Sequence, residues 1–332
     1  MSARRASIVG VGSCLPERIV RNADFEATLE TNDEWIRERT GIRERRFVVE
    51  GEATSDLATG AARAALEMAG VAPEQLDLIV VATCTPDNPL PSTGIWVQRK
   101  LGAHCPAFDV NSACAGFSYA LSTGSAFLES GQAETVLVIG AEVLSRWVDM
   151  DDRSTAILFG DGAGAVILRP SDEPGVLGSV LGADGNAAEV LIVPTGGTAR
   201  PSTPERVAAH ENTIKMPNGR EVFKRAVVEM ASACRELLEK SGYTPADVDL
   251  LIPHQANARI MVAVAERLGI PEERAVLDVE EVGNTSAASV PIALDRAFRA
   301  GRIDAGDLVL ITSFGAGLTW GANLIRWNGI SR

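Results

Sequence analysis

The sequence predicts an α/β fold made of two related halves, and three observations lead to it. First, Gly70-Val-Ala-Pro73-Glu-Gln-Leu-Asp77-Leu78-Ile79 is matched further on by Gly242-Tyr-Thr-Pro245-Ala-Asp-Val-Asp249-Leu250-Leu251. Second, the order of patterns around each copy is the same. An amphipathic helix precedes it; a helix ending in Leu-Gly (Leu101-Gly102, Leu268-Gly269) and a strand closing on Asp-Val (Asp109-Val110, Asp278-Val279) follow. Small-residue helices then start near 114 and 287, followed by Gly131 and Gly301 and the apolar strands Val136–Ile139 and Leu308–Ile311. Third, strands alternate with helices throughout, the pattern of βαβ units. We read two βαβα units in pseudo-twofold relation, residues 1–172 and 173–332, arisen by duplication. The 332-residue length exceeds what one core usually fills, which agrees with two packed halves.

In chain order, Met1-Ser-Ala-Arg-Arg-Ala-Ser-Ile-Val-Gly10 starts basic, but its apolar run breaks at glycines and lacks a signal-peptide core. It reads as the first strand. Helices are expected over roughly 54–70, 92–101, 114–130, 221–241, 256–268 and 287–300. The helix at 221–241 carries Val222, Phe223, Val227, Met230, Leu237 and Leu238 on one stripe. Residues 195–220 are rich in Gly, Pro, Thr and charge and predict a lid or a disordered segment. Gly160-Asp-Gly162-Ala-Gly164 lacks the Gly-Lys-Ser/Thr ending of a phosphate loop and is followed by the strand-like Ala165–Leu168. Gly10-Val-Gly12 lacks the third glycine of a dinucleotide fingerprint. Close backbone packing accounts for both.

Composition narrows the function classes. The net charge of −13 argues against nucleic acid as a partner. No run of ~18 apolar residues predicts a membrane span. Five cysteines (14, 84, 105, 114 and 234) form no close metal-type spacing and no even disulfide set, which suits a reducing cytoplasm.

Cys114 lies in Ala107-Phe-Asp-Val-Asn-Ser-Ala-Cys114-Ala-Gly-Phe-Ser-Tyr-Ala-Leu121, which reads as strand, sharp turn and helix. A thiol in a helix's first turn faces free N–H groups and the positive dipole end, so its pKa is expected below the usual ~8.5. By its surroundings alone it reads equally as a nucleophile or as an inert buried cysteine. The duplication adds partners. Asn284, in Glu280-Glu-Val-Gly283-Asn284-Thr-Ser286, occupies the turn analogous to that of Cys114, and His254 follows the strand Leu250–Pro253. A Cys, a His and an Asn delivered by separate loops at strand ends make a nucleophile with two polar partners. His104 and His210 have no motif around them.

At these residues the chain resembles the 3-oxoacyl-acyl-carrier-protein synthase III family of the thiolase superfamily. The matching stretches are Thr31–Arg43, the Cys114 segment, Phe159–Gly164, Pro253–Asn257, Gly283–Ser289 and Phe314–Gly317, spread over essentially the whole length. The resemblance implies a thiolase-like five-layered αβαβα fold, a cytoplasmic homodimer and a Cys114-His254-Asn284 site. It implies condensation of an acyl-CoA primer with malonyl-acyl carrier protein through an acyl-cysteine, initiating type II fatty acid synthesis. Decarboxylation would supply the carbanion, so no cofactor or metal is expected. The backbone N–H groups of Cys114 and Ala316 would form the oxyanion hole. Trp35 and Arg153 would sandwich the adenine of coenzyme A, with Thr31, Arg39, Phe223 and Asn257 also on the coenzyme side and Lys224 and Arg259 docking the carrier protein. Leu90, Leu144, Phe159, Leu191, Met216 and Phe314 would shape the acyl pocket, Leu90 by reaching across the dimer; a leucine there would leave room for longer or branched primers.

Arg37, Arg39, Arg43, Arg45 and Arg46 crowd into one short stretch of this acidic chain. They read either as a solvated face paired with Glu34, Glu38 and Glu44, or as a cationic rim steering an anionic partner. Two other functions fit the same cysteine: a related superfamily condensing enzyme or acyltransferase of secondary metabolism, and a cysteine thioesterase. The second needs an activated water, for which the sequence offers no group.

Overall fold

The computed structural model describes residues 5–173 and 175–330; the basic start Met1–Arg4 lies outside them. Strands β1 (Arg5–Cys14) and β2 (Arg18–Arg21) lead into the short helices α1 (Asn22–Glu26) and α2 (Asp33–Thr40) and strand β3 (Glu44–Phe47). The first repeat follows as α3 (Thr54–Ala69), β4 (Leu78–Ala82), α4 (Thr93–Leu101), β5 (Ala107–Val110), α5 (Gly116–Glu129), β6 (Val136–Glu142), α6 (Arg153–Ala156) and β7 (Gly162–Ser171). The second comprises β8 (Val176–Ala183), α7 (Pro204–Ala208), α8 (Gly219–Ser241), β9 (Leu250–Pro253), α9 (Ala258–Leu268), α10 (Val279–Val282), α11 (Ser289–Arg299), β10 (Leu308–Gly315) and β11 (Thr319–Arg326).

The apolar strands pair as their composition directs. Every residue of β4 and β6 is buried, because helices cover both faces of a parallel pair. One sheet runs β1-β7-β6-β4-β5 and the other β8-β11-β10-β9. In the first, β4 runs parallel to both β5 and β6; in the second, β9 runs parallel to β10; in each, the following hairpin partner is antiparallel (β7, β11). The helices sort into three layers. Helices α3 and α4 cover the outer face of the first sheet, α8 and α9 that of the second, and α5 and α11 lie between the sheets. This is the five-layered αβαβα arrangement. The central core joins both sheets through Phe117, Leu121 and Leu128 of α5 and Val290, Leu294 and Phe298 of α11.

Helix limits follow local chemistry. Helices α3 and α8 stop at Gly70 and Gly242, each in the left-handed conformation that suits glycine. Asn218 caps α8 by accepting from Glu221 N, and Asn257 caps α9 by accepting from Arg259 N.

Two expectations need correction. The second-half strand expected to close on Asp278-Val279 is reduced to a single bridge, Leu251 with Ala275, and α10 starts at Val279. The Gln255 side chain supplies the reason. Its Nε2 donates to Val276 O at 3.1 Å and its Oε1 accepts from Asp278 N at 2.6 Å, so a side chain meets backbone groups that a strand would pair. The segment 195–220 is not without structure either. Short helix α7 lies within it, Ile192 bridges to Lys215, and Ile214 N donates to Trp147 O at 2.8 Å.

The glycines of Gly160–Gly164 do serve close packing. A Cβ on Gly164 would lie 2.6 Å from Ile292 N in α11. Gly164→Ala should therefore force β7 and α11 apart and cost about 1–3 kcal/mol, read as a lower urea midpoint at unchanged slope. An unchanged midpoint would show that this contact gives way freely.

Candidate active site

Cys114 sits in one 3-10 turn, Ala113–Ala115, immediately ahead of α5. Ala113 reaches a left-handed φ of 45°, which turns the chain sharply between β5 and α5. The matching turn in the second half, Ser286–Ala288 ahead of α11, has φ 49° at Ser286. The two turns face each other beneath the β10–β11 hairpin, where a Cβ on Gly315 would come 2.5 Å from Cys114 N. Pseudo-twofold repetition thus brings residues from distant parts of the chain to one point.

The thiol is buried, and burial pushes its pKa up to about 12. The Ser286 hydroxyl opposes this by hydrogen bonding, while the Glu142 charge reinforces it. This corrects the expectation of a value below that of free cysteine: burial, the largest cause, raises it. His254 follows β9 and is also buried, which lowers its pKa to about 3 and keeps the ring neutral. Its Nδ1 lies 2.6 Å from Ser289 Oγ, which also accepts from Gln255 N at 3.3 Å. Assigning the serine proton to Nδ1 places the ring proton on Nε2. Asn284 Oδ1 accepts from Ser286 N at 2.9 Å, leaving the amide NH2 as its donor. The Ala316 N–H meets no protein acceptor among the described residues.

Two cavities meet at Cys114. One, about 140 Å³, is lined by His254, Asn284, Asn257, Phe223, Met216, Phe314 and Gly315 as well as Cys114. The other, about 480 Å³, is lined by Cys84, Leu144, Trp147, Ile192, Val193, Ile214, Ser286 and Ala316 with Cys114. Phe159 and Leu191 border both. The residues expected around an acyl pocket therefore divide. Leu144 belongs to the larger cavity, while Met216 and Phe314 line the smaller. Leu90 lines neither and is 86% exposed.

Around the smaller cavity, Asn257 Nδ2 donates to Arg39 O at 3.0 Å and so ties α9 to the end of α2. Trp35 on α2 is covered by Arg39 and Arg153, whose guanidinium carbons lie 4.6 and 4.7 Å from the ring centroid. Thr31 Oγ1 is buried without a partner. Lys224 and Arg259 are exposed, and Arg259 lies 5.8 Å over the Phe223 ring.

The arginine-rich segment is only partly a rim. Arg45 is wholly buried, donating to Val20 O, Asn22 Oδ1 and Ile157 O, and burial lowers its pKa to about 10. Arg43 pairs with Glu280 at 2.7 Å, and Arg37 with Asp33. The alternation of β3 turns Arg45 inward, a pattern the charge run conceals. Sequence reasoning also missed Glu142, Ser286 and Ser289. Ser286 and Ser289 lie in the matched Gly283–Ser289 stretch and could have been found from it; Glu142 carries no motif.

The family model for 3-oxoacyl-[acyl-carrier-protein (ACP)] synthase III matches residues 108–185, and that for its C-terminal part matches 238–327. The beta-ketoacyl-[acyl-carrier-protein] synthase III of Roseiflexus sp. (strain RS-1) is 48% identical over 327 residues, 98% of this chain and 99% of that protein. The chain belongs to the 3-oxoacyl-[acyl-carrier-protein] synthase III family. It is accordingly a condensing acyltransferase of fatty acid biosynthesis with the thiolase fold. The synthase III structure from Aquifex aeolicus VF5 superposes with a TM-score of 0.89 at 47% identity, covering 97% of this chain and all of that one. The priming beta-ketosynthase of the R1128 polyketide pathway gives 0.91 at 38% identity, covering 99% of each chain. Among the described residues, no helix is long and apolar enough to cross a membrane.

Burial of neutral His254 has a consequence for stability. The unfolded chain binds this proton below about pH 6.5 and the folded one only near 3, so stability is present above 6.5 and is lost as pH falls toward 3. The loss is on the order of 1 kcal/mol per pH unit within that window. Urea titrations from pH 7 to 4 should show a steeper decline for the native chain than for His254→Asn. Parallel declines would place the ring in a solvated state.

Proposed function

We propose that Cys114 carries the acyl group of an acyl-CoA primer and that His254 and Asn284 then drive its condensation with malonyl-acyl carrier protein. The observation that carries this reading is the position of Cys114 where two cavities meet, with His254 and Asn284 in one and a largely apolar space in the other. A pantetheine arm entering by the smaller cavity would bring its thioester to the thiol, leaving the acyl chain to fill the larger. That volume lies within the range of ligand pockets, ~300–1,000 Å³.

In the first stage Cys114 Sγ attacks the thioester carbonyl, and coenzyme A leaves. The oxyanion would be held by the N–H groups of Cys114 and Ala316. In the second stage malonyl-carrier protein binds in the same tunnel and loses carbon dioxide. His254 Nε2–H and the Asn284 amide donate to the thioester oxygen as enolate charge develops there. A neutral histidine suits this role, because it donates without needing to be protonated from solvent. The carbanion attacks the acyl-cysteine, Cys114 is released, and a 3-oxoacyl-carrier protein leaves. Decarboxylation replaces a strong base, so the sequence of steps calls for no cofactor.

The remaining roles follow from position. Trp35 and Arg153 would part to take the adenine between them, worth ~1–3 kcal/mol per face, with Arg39 beside them. Thr31, with a buried hydroxyl to satisfy, Phe223 and Asn257 would serve the coenzyme, and exposed Lys224 and Arg259 the acidic carrier protein. Leu90, exposed and remote from its own cavity, fits a homodimer in which it closes the partner's acyl pocket. A cytoplasmic, membrane-independent enzyme agrees with these soluble substrates.

Incubation with acyl-CoAs from two to about sixteen carbons, straight and branched, should give an acyl mass increment that Cys114→Ala lacks, with primers longer than acetyl accepted. His254→Ala and Asn284→Ala should slow malonyl decarboxylation about 10²–10³-fold while slowing acylation far less. Equal losses in both half-reactions would refute this division of roles, and no adduct from any primer would refute the acyl-enzyme. Trp35→Ala should raise the half-saturating acyl-CoA concentration about tenfold and leave acyl-pantetheine unaffected. A monomer in sedimentation at micromolar concentration would remove the role given to Leu90.

A further inference from the structure

Trp147 follows the 3-10 turn Leu144–Arg146 that leaves β6, and it stands between two spaces of different character. It lines the larger cavity at Cys114, about 480 Å³, and a further cavity of about 200 Å³ bordered by Thr54, Thr85, Asp87 and Arg146. Among the described residues, Trp147 alone lines both. Leu144, Phe159, Leu191, Ile192 and Ile214 give the larger cavity an apolar wall. The polar groups around the smaller one are already engaged. Asp87 accepts from Ser55 N at 2.9 Å and from Ser55 Oγ at 2.6 Å, and Arg146 Nη2 donates to Glu52 O at 2.7 Å. Thr54 donates to Thr85 O, and Thr85 Oγ1 to Glu142 Oε2 at 2.6 Å. A methylene chain gains little by entering such a space.

The half-buried indole is held on several sides. Trp147 N donates to Leu144 O at 2.8 Å, and Trp147 O accepts from Ile214 N at 2.8 Å. Its ring packs against the cluster that includes Leu144, Phe159 and Ile214. Two residues on, the Asp149 carboxylate meets His210 Nδ1 at 2.8 Å and Lys215 Nζ at 3.2 Å, one on each side of Ile214 in the chain. Lys215 in turn exchanges backbone bonds of 3.1 and 2.8 Å with Ile192. The segments that carry Trp147, Ile192 and Ile214 are thus fastened to one another. A wall built this way resists displacement, because close-packed side chains leave no slack into which a large ring can move.

We propose that Trp147 sets the length of the primer. The acyl chain on Cys114 extends through the larger cavity until its far end meets the indole, and a longer chain has to dislodge a fastened ring or enter polar space. The substrate class is an unsubstituted apolar acyl chain longer than acetyl and of limited length. The determinant sits on the same chain as the cysteine it serves, apart from the role given to the partner's Leu90. A single methylene beyond the available space is discriminated about 10–200-fold, so the limit should be sharp.

The inference rests on the acylation of Cys114 proposed above, and the test separates the two. Single-turnover acylation of the full chain is followed by rapid quench and mass spectrometry with straight-chain acyl-CoAs from acetyl to palmitoyl. The native rate should hold to an intermediate length and then fall about tenfold or more at the next primer. Trp147→Leu and Trp147→Ala should move that limit to longer chains, alanine further than leucine. The first primer excluded by the native chain should gain about tenfold or more relative to the native chain's preferred primer. Trp147→Phe should keep the limit nearest to native, and with Trp147→Leu it serves if Trp147→Ala does not fold. Variants that slow every primer by one factor and keep the native limit overturn the proposal and leave Trp147 a packing residue. A native limit at acetyl, or none up to palmitoyl, overturns it as well. Failure of the native chain to acylate with any primer would overturn the parent reading instead.

Discussion

The approach of the Ala287 carbonyl to Gly140 of β6 is the contact on which the rest of the site depends. A Cβ at position 140 would overlap that carbonyl, and a hydrogen there does not. The loop ahead of α11 can therefore settle onto the first sheet at the depth of the strand ends. Asn284 and Ser286 travel with it, and so meet Cys114 and Glu142, which the first half supplies. Each half alone carries part of the chemistry; the interior helices α5 and α11 hold the parts in register because both are packed between two sheets.

That depth has an electrostatic result. Cys114, Glu142 and His254 are buried together, and desolvation moves each toward its neutral form. A neutral imidazole and an amide are donors that need no counter-charge, which suits them to an oxygen that becomes negative only during reaction. Cys114, as the proposed nucleophile, faces the opposite demand, since it has to lose a proton in a place that disfavours charge.

Much of this was legible in the chain. The matched Gly70 and Gly242 segments gave the two halves, and the strand-turn-helix around Cys114 with its counterpart at Asn284 gave the site's location. Trp35 and Arg153 were legible through resemblance, and the structure brings their side chains together. What escaped has physical reasons. Glu142 ends an apolar strand and signals nothing until Thr83, Thr85 and Ser286 surround it. Arg45 looked like one more surface charge, yet strand alternation buries it among carbonyls. The missing strand near Asp278 was hidden because a single glutamine side chain, Gln255, does the work of a neighbouring backbone.

The sequence by itself determined the duplicated α/β architecture and the acidic character, and it singled out Cys114, His254 and Asn284 as the candidate set. It could do so because periodicity, turn chemistry and repetition are local properties, written in adjacent residues. Only the tertiary structure decided the protonation of those groups, the division of pocket residues between two cavities and the meeting of Ser286 with Glu142. Those depend on burial and on distances between residues far apart in the chain. A pKa is set by what surrounds a group in space, and no local pattern encodes it.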